Sequence, residues 1–250
     1  MGLQWWQKPI ALAEGMVAQR TVRLAPEPEG AREGTILPRT ATDGADGNGS
    51  AARPITLATV GDSLTVGCGV ESQDDGLVPD MARAIARVTG RPVRWRTYGR
   101  LGATMRRARF RLLPQVEGHP DLLVLCAGSN DLMARRTERE WREDLSAAID
   151  EAGAISAHVV VISSGQVYRS PALGRTLRRA ILDMTDRQTA ISRAICAQKG
   201  VTFVDMTHHD TGLTDEEFWA YDNFHPSGRC YRLLADGVVE RIGEGTLRSL

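Results

Sequence analysis

Two hundred and fifty residues, 42% hydrophobic and 25% charged with 25 glycines and 11 prolines, describe a globular chain and exclude a disordered, collagenous or disulfide-stapled one. Thirty-one Lys and Arg balance 31 Asp and Glu, so the net charge is +0 and the electrostatic footprint of a nucleic-acid binder is missing. Cys68, Cys126, Cys196 and Cys230 stand far apart with no C-x-x-C pair, which gives neither a zinc nor a redox signature and reads as four small buried hydrophobes. No apolar run approaches the roughly 18 residues of a membrane helix, and Glu14 breaks the stretch 10–18. A signal peptide is therefore not expected, and the chain is read as cytoplasmic.

Composition sets residues 1–54 apart as an extension and linker ahead of a body at 55–250. The extension opens on a short helical pattern carrying Trp5, Trp6, Ile10 and Leu12, followed by a Pro- and Glu-rich stretch at 25–30. It ends in a Gly- and Asp-rich run at 42–50 whose composition predicts a mobile loop. Indole rings favour the membrane headgroup boundary, which makes a membrane anchor the minor reading. The favoured reading packs Trp5 and Trp6 on the body as part of an N-terminal arm.

In the body, apolar runs at 55–60, 93–98, 122–127, 159–162 and 201–206 alternate with helical patterns, as β-α-β units do. Several runs are apolar at successive positions, so both faces of those strands are expected to be covered, giving three layers. Val78, Met81, Ile85 and Val88 mark one helix, with Pro79 in its first turn and Gly90 as its stop. Thr137 and Glu140 form a capping box ahead of Trp141, Leu145, Ile149 and Ala152. Leu177, Ile181, Met184, Ile191 and Ile195 make a third helical face before Gly200, and a last helix after Pro226 buries Tyr231, Leu234, Val238 and Ile242.

In an open parallel sheet, ligands bind outside the carboxyl ends of the strands. The first run is followed by Gly61-Asp62-Ser63-Leu64-Thr65-Val66-Gly67, a serine at a strand end, where free backbone N–H groups would favour developing negative charge. Thr65 stands where the G-x-S-x-G elbow requires glycine, so that elbow is absent. Gly99 and Gly102 follow the second run and Gly128-Ser129-Asn130-Asp131 the third. A glycine N–H and a carboxamide could together form an oxyanion hole, although singly each of these segments is an ordinary turn former. Near the C-terminus, Tyr221-Asp222-Asn223-Phe224-His225-Pro226 sets a carboxylate and an imidazole three residues apart. In one tight turn the first would hold the second by one ring nitrogen and leave the other as a base.

Taken together, G-D-S-L, the glycine after the second run, G-x-N-D and D-x-x-H-P resemble the blocks of the SGNH hydrolase superfamily, the GDSL esterases and lipases, in order and in strand context over about residues 55–245. The resemblance implies a flavodoxin-like α/β/α sandwich with a five-stranded, mostly parallel sheet. It implies Ser63 as nucleophile, Asp222 and His225 as its partners, and an oxyanion hole of the Ser63 N–H, the Gly102 N–H and the Asn130 side chain. Gly99, three residues before Gly102, and Thr97-Tyr98 in place of the asparagine that often precedes this block leave the Gly102 assignment open. The implied activity is carboxylic ester hydrolysis through an acyl-enzyme, with lysophospholipids and thioesters among the substrate classes and no metal or organic cofactor. An acyltransferase, a carbohydrate O-deacetylase or a non-catalytic binding module on the same fold are the alternatives. The partner expected is a small-molecule or lipid ester.

Two other features compete for a role. His208-His209-Asp210 could join His225 at a metal, but no metalloprotease-type spacing supports it, and a polar loop capped by Thr214 and Glu217 is the plainer account. Arg106, Arg107, Arg109 and Arg111 lie just beyond Gly102; they read as a solvated helix face, or else as a patch that attracts anionic esters.

Overall fold

The computed structural model describes residues 4–38 and 53–250. The run at 42–50, expected to be a mobile loop, lies outside the described residues. In chain order the strands are β1 (Glu33–Ile36), β2 (Ile55–Gly61), β3 (Val93–Gly99), β4 (Leu122–Cys126), β5 (His158–Ile162) and β6 (Thr202–Val204). The helices are α1 (Lys8–Thr21), α2 (Leu77–Thr89), α3 (Met105–Arg107), α4 (Ser129–Met133), α5 (Glu138–Gly153), α6 (Arg175–Lys199), α7 (Asp215–Phe218), α8 (Gly228–Ile242) and α9 (Glu244–Arg248).

The sheet runs β1-β3-β2-β4-β5-β6, with every pair parallel except β1 on β3. The five parallel strands match the five apolar runs and follow the flavodoxin-like order, in which the chain reverses its winding between β2 and β4. The crevice at that switch point is where the first and third motifs emerge. All five residues of β4 are buried, because its side chains alternate between two cores. Leu122 and Val124 join Ile85, Trp95, Tyr231 and Val238 under α2 and α8. Leu123 and Leu125 join Trp141, Leu145, Ile191 and Ile195 under α5 and α6. This is the expected three-layer arrangement.

The sixth strand corrects the count of five. Residues 33–36 of the extension pair antiparallel with β3, from Glu33 opposite Arg96 to Ile36 opposite Val93, and an Arg96–Glu33 ion pair of 2.6 Å reinforces the edge. Four residues with a single large apolar side chain, on an edge with one face in solvent, carry too little pattern to stand out as a strand.

The extension also departs from expectation at its start. Trp5 and Trp6 are 80% and 53% exposed and do not pack on the body. They sit in a 3-10 turn ahead of α1, and α1 meets α6 through small residues, burying Ala11 and Ala18. Glu14 fixes that contact by accepting the Leu177 N–H at 2.6 Å. No helix of the described residues is long and apolar enough to cross a membrane.

Candidate active site

The turn after β2 is closed by backbone hydrogen bonds from Val66 N to Asp62 O and from Cys68 N to Ser63 O, and it holds Ser63 partly buried at the end of the central strand. It lies close against β3. A Cβ on Gly99 would fall 2.6 Å from Val66 Cγ1 and 3.0 Å from Thr65 Cγ2, so only glycine allows the approach. Gly102 is different: its φ is +76°, and a Cβ there would meet nothing within 4 Å. Gly99 is thus required by packing and Gly102 by backbone conformation, which separates two glycines that sequence alone leaves interchangeable.

Asp222, Asn223, Phe224 and His225 form one tight turn, with Asn223 at φ 55°, a conformation asparagine tolerates. Asp222 Oδ1 accepts the N–H groups of Phe224 and His225, both at 2.9 Å, and Oδ2 meets His225 Nδ1 at 2.6 Å. Oδ2 also accepts the N–H of Ala25 at 2.8 Å, from the extension. Burial would raise the Asp222 pKa, but the hydrogen bonds from His225, Ala25 and Phe224 outweigh it and hold the carboxyl well below the usual carboxylate range. An ionised carboxylate only accepts hydrogen bonds, so Nδ1 is the ring nitrogen that donates to Asp222, and Nε2 is the one turned away from it. Nε2 is buried and has no hydrogen-bond partner among the described residues.

Ser63, Asn130 and His225 line one cavity of about 60 Å³, whose walls include Leu64, Ile162, Phe218, Phe224, Leu234 and Val238. Tyr231, also in its wall, ties α8 to the serine turn by donating its hydroxyl to Cys68 O at 2.7 Å. Asp222 stands behind His225, and Gly102 is not among the lining residues. Asn130, at the start of α4, donates Nδ2 to Ala103 O at 3.0 Å and to Asp62 Oδ2 at 3.4 Å, linking the three strand-end loops.

Two neighbouring acids went unassigned in the sequence although they sit inside its motifs. Asp62 Oδ1 accepts the Leu64 N–H at 3.0 Å. Burial, with the Asp131 charge adding to it, pushes the Asp62 carboxyl up to about 7. Asp131 accepts the Met105 N–H at 2.8 Å, which anchors α3 beside the Gly102 loop. Burial likewise pushes its carboxyl up to about 6. Their positions next to Ser63 and Asn130 were the available signal.

The competing features lie elsewhere. His208 pairs with Asp186 at 2.7 Å, and His209 Nδ1 accepts from Arg241 at 3.1 Å. Among the described residues no three His, Cys, Asp or Glu side chains gather as a metal site. In the arginine run, Arg109 is bound to Glu151 at 2.7 Å and Arg106 lies 3.6 Å from Asp144, and both guanidinium groups lie against the Phe110 ring.

The family model for the GDSL-like Lipase/Acylhydrolase family matches residues 59–233. Among solved structures, a lipase/acylhydrolase from Enterococcus faecalis is 24% identical with a TM-score of 0.56, covering 76% of this chain and 96% of its own. An alpha/beta hydrolase enzyme from the metagenome of Lake Arreo, Spain, is 19% identical with a TM-score of 0.60 over 79% and 99%. A Clostridium thermocellum family 3 carbohydrate esterase is 18% identical with a TM-score of 0.59 over 79% and 98%. These likenesses show a shared fold. No curated protein matches the chain.

Proposed function

Because the chain belongs to the GDSL-like lipase/acylhydrolase family, we propose that it is a serine esterase in which Ser63, His225 and Asp222 act as a triad on carboxylic esters. The observation that carries this reading is the Asp222–His225 pair of 2.6 Å, which leaves Nε2 free in the cavity that Ser63 also lines. Catalytic hydrogen bonds are often open in a free enzyme and tighten with substrate, so Nε2 awaits the serine proton.

The reaction follows from these groups. Ser63 Oγ attacks the ester carbonyl carbon as His225 Nε2 takes its proton, and Asp222 stabilises the imidazolium. The Ser63 and Gly102 N–H groups and Asn130 Nδ2 hold the oxyanion of the tetrahedral intermediate. Its 3.4 Å contact with Asp62 is the one Asn130 would exchange for that oxyanion. His225 then protonates the departing alcohol, leaving Ser63 acylated. Water attacks next, giving a proton to the same imidazole, and the acid departs as the serine is restored.

The cavity bears on the acyl group. At about 60 Å³ it is far smaller than the ~300–1,000 Å³ of pockets for drug-sized ligands and holds only a few waters. A short acyl group is the substrate it fits. The test is hydrolysis of p-nitrophenyl esters from acetate to decanoate by the wild type and by Ser63→Ala, both checked for folding. Turnover falling with chain length and lost in Ser63→Ala supports the reading. An equally active alanine variant overturns the serine mechanism, and a preference for decanoate overturns the short acyl site.

A further inference from the structure

The extension touches the proposed site at two points, Asp222 and the residue before Gly102. Ala25, 1% exposed, donates its N–H to Asp222 Oδ2 across 197 residues of sequence. Two residues on, Glu27 Oε1 accepts the N–H of Leu101 at 2.7 Å, immediately before Gly102. The segment between α1 and β1 is itself pinned down. Pro28 O and Glu29 O accept from Gln73 Nε2 and Gln73 N, at 3.0 and 2.8 Å. Arg32 donates to Gly99 O at 2.9 Å, and its own carbonyl accepts from Thr97 N at 2.7 Å. The family match begins at residue 59, so none of this arm is in it.

We infer that residues 25–32 are a positioning element of the catalytic site, holding Asp222 through the Ala25 N–H and the Gly102 loop through Glu27 and Leu101. This inference rests on the esterase reading for its kinetic consequence, but the hold on Asp222 is a geometric fact with a readout of its own. The Asp222 side chain is closed off from solvent, so no water replaces the Ala25 N–H if it is lost, and a buried carboxylate short of one donor is costly. Freed on that side, Asp222 rotates away from the line it makes with Nδ1 and orients the imidazole less well. At the other contact, the Glu27 carboxylate fixes the loop that presents the Gly102 N–H. One arm therefore sets the distance between the base and one oxyanion donor, two groups brought together from opposite ends of the body.

Proline at position 25 removes the N–H and sets its ring carbon Cδ where that hydrogen points, so the Asp222 carboxylate must turn away, while the chain direction is kept because Ala25 already precedes Pro26 and is biased to extended backbone. Ala25→Gly keeps the N–H. In Ala25→Pro, kcat on p-nitrophenyl acetate is expected to fall at least about tenfold, the loss of one hydrogen bond to a charged group being the smallest effect, with KM within about twofold. The far-downfield proton resonance of His225 Nδ1–H is expected to shift or vanish, and Ala25→Gly to recover both. If Ala25→Pro does not fold, Glu27→Ala decides: a lowered kcat with the Nδ1–H resonance unchanged supports the arm's role, and a wild-type kcat overturns it. A folded Ala25→Pro with wild-type kcat and resonance also overturns it, as does an Ala25→Gly impaired as badly as the proline variant. A wild type without ester hydrolysis whose resonance still responds to Ala25→Pro would sink the esterase reading and leave the arm's hold on Asp222 standing.

Discussion

The two sides of the site are built differently. The base side is a single four-residue turn in which Asp222 accepts hydrogen bonds from Phe224, His225 and Ala25 and contacts the imidazole at 2.6 Å. The oxyanion side is gathered from three strand-end loops, and its one side-chain donor, Asn130, makes its contact to Asp62 at 3.4 Å. Its acids are also strained electrostatically: burial pushes Asp62 to about 7 and Asp131 to about 6, whereas Asp222 is held as a carboxylate. The contrast teaches that the imidazole is held by several hydrogen bonds at once, while Asn130 keeps Ala103 O at 3.0 Å and has one longer contact, to Asp62, that under the proposed mechanism it would exchange for the developing charge.

The largest effect is expected at the fixed side. His225→Ala removes the imidazole proposed as the base, and kcat should fall about ten-thousandfold to a millionfold, the scale of losing a triad function. A loss of less than about a hundredfold would mean that another group takes the proton. Next comes Asn130→Ala, for which about a hundredfold lower kcat is expected from the loss of one oxyanion donor, with the protein still folded but its melting temperature lowered by the lost bond to Ala103 O. Unchanged turnover would remove Asn130 from the site and flatten the comparison.

The glycines sharpen the comparison further. Gly99→Ala forces a methyl to within 2.6 Å of Val66 Cγ1, an overpacking that should cost about 1–3 kcal/mol and displace the serine turn. Gly102→Ala meets no atoms among the described residues, so its cost is the left-handed backbone alone, about 1–2 kcal/mol. Denaturant unfolding of the two variants checks the order; a Gly102→Ala more destabilised than Gly99→Ala would reverse it.

The smallest effect is a pH dependence. The raised pKa of Asp62 means that its contribution to stability is complete below the ordinary carboxylate range and is lost as pH rises through about 7. Asp222 has the opposite sign, its contribution being present above that range and lost as pH falls through its lowered folded-state pKa. Asp62→Asn removes the first titration and keeps an oxygen for the Leu64 N–H. Its melting temperature relative to wild type should rise between pH 5 and pH 8; a constant difference would show that Asp62 does not titrate there.

Legibility in the sequence follows the same division. The central strands β2, β4 and β5 stand out because strands buried on both faces are nearly continuously apolar, and β4 is the clearest case, whereas β3 alternates and shows only through its one buried face. Asp222 and His225 are readable because their geometry is local, three residues within one turn. The arm is not readable, since what Ala25 contributes is a backbone N–H that nearly every residue possesses, and only the tertiary fold aims it at Asp222. Gly99 and Gly102 look alike in sequence for a related reason: one is decided by the distance to Val66, which no spacing reports. The tryptophans show the converse, for large apolar side chains suggest burial, yet α1 presents its alanines to α6 and leaves Trp5 and Trp6 in solvent.

The central claim is that Ser63 is a nucleophile activated by His225. The most direct measurement is the intact and peptide mass of the folded protein after exposure to an alkyl fluorophosphonate. The account predicts a single adduct, located on Ser63 and absent in His225→Ala; no adduct on the folded wild type, or one on another residue, would contradict it.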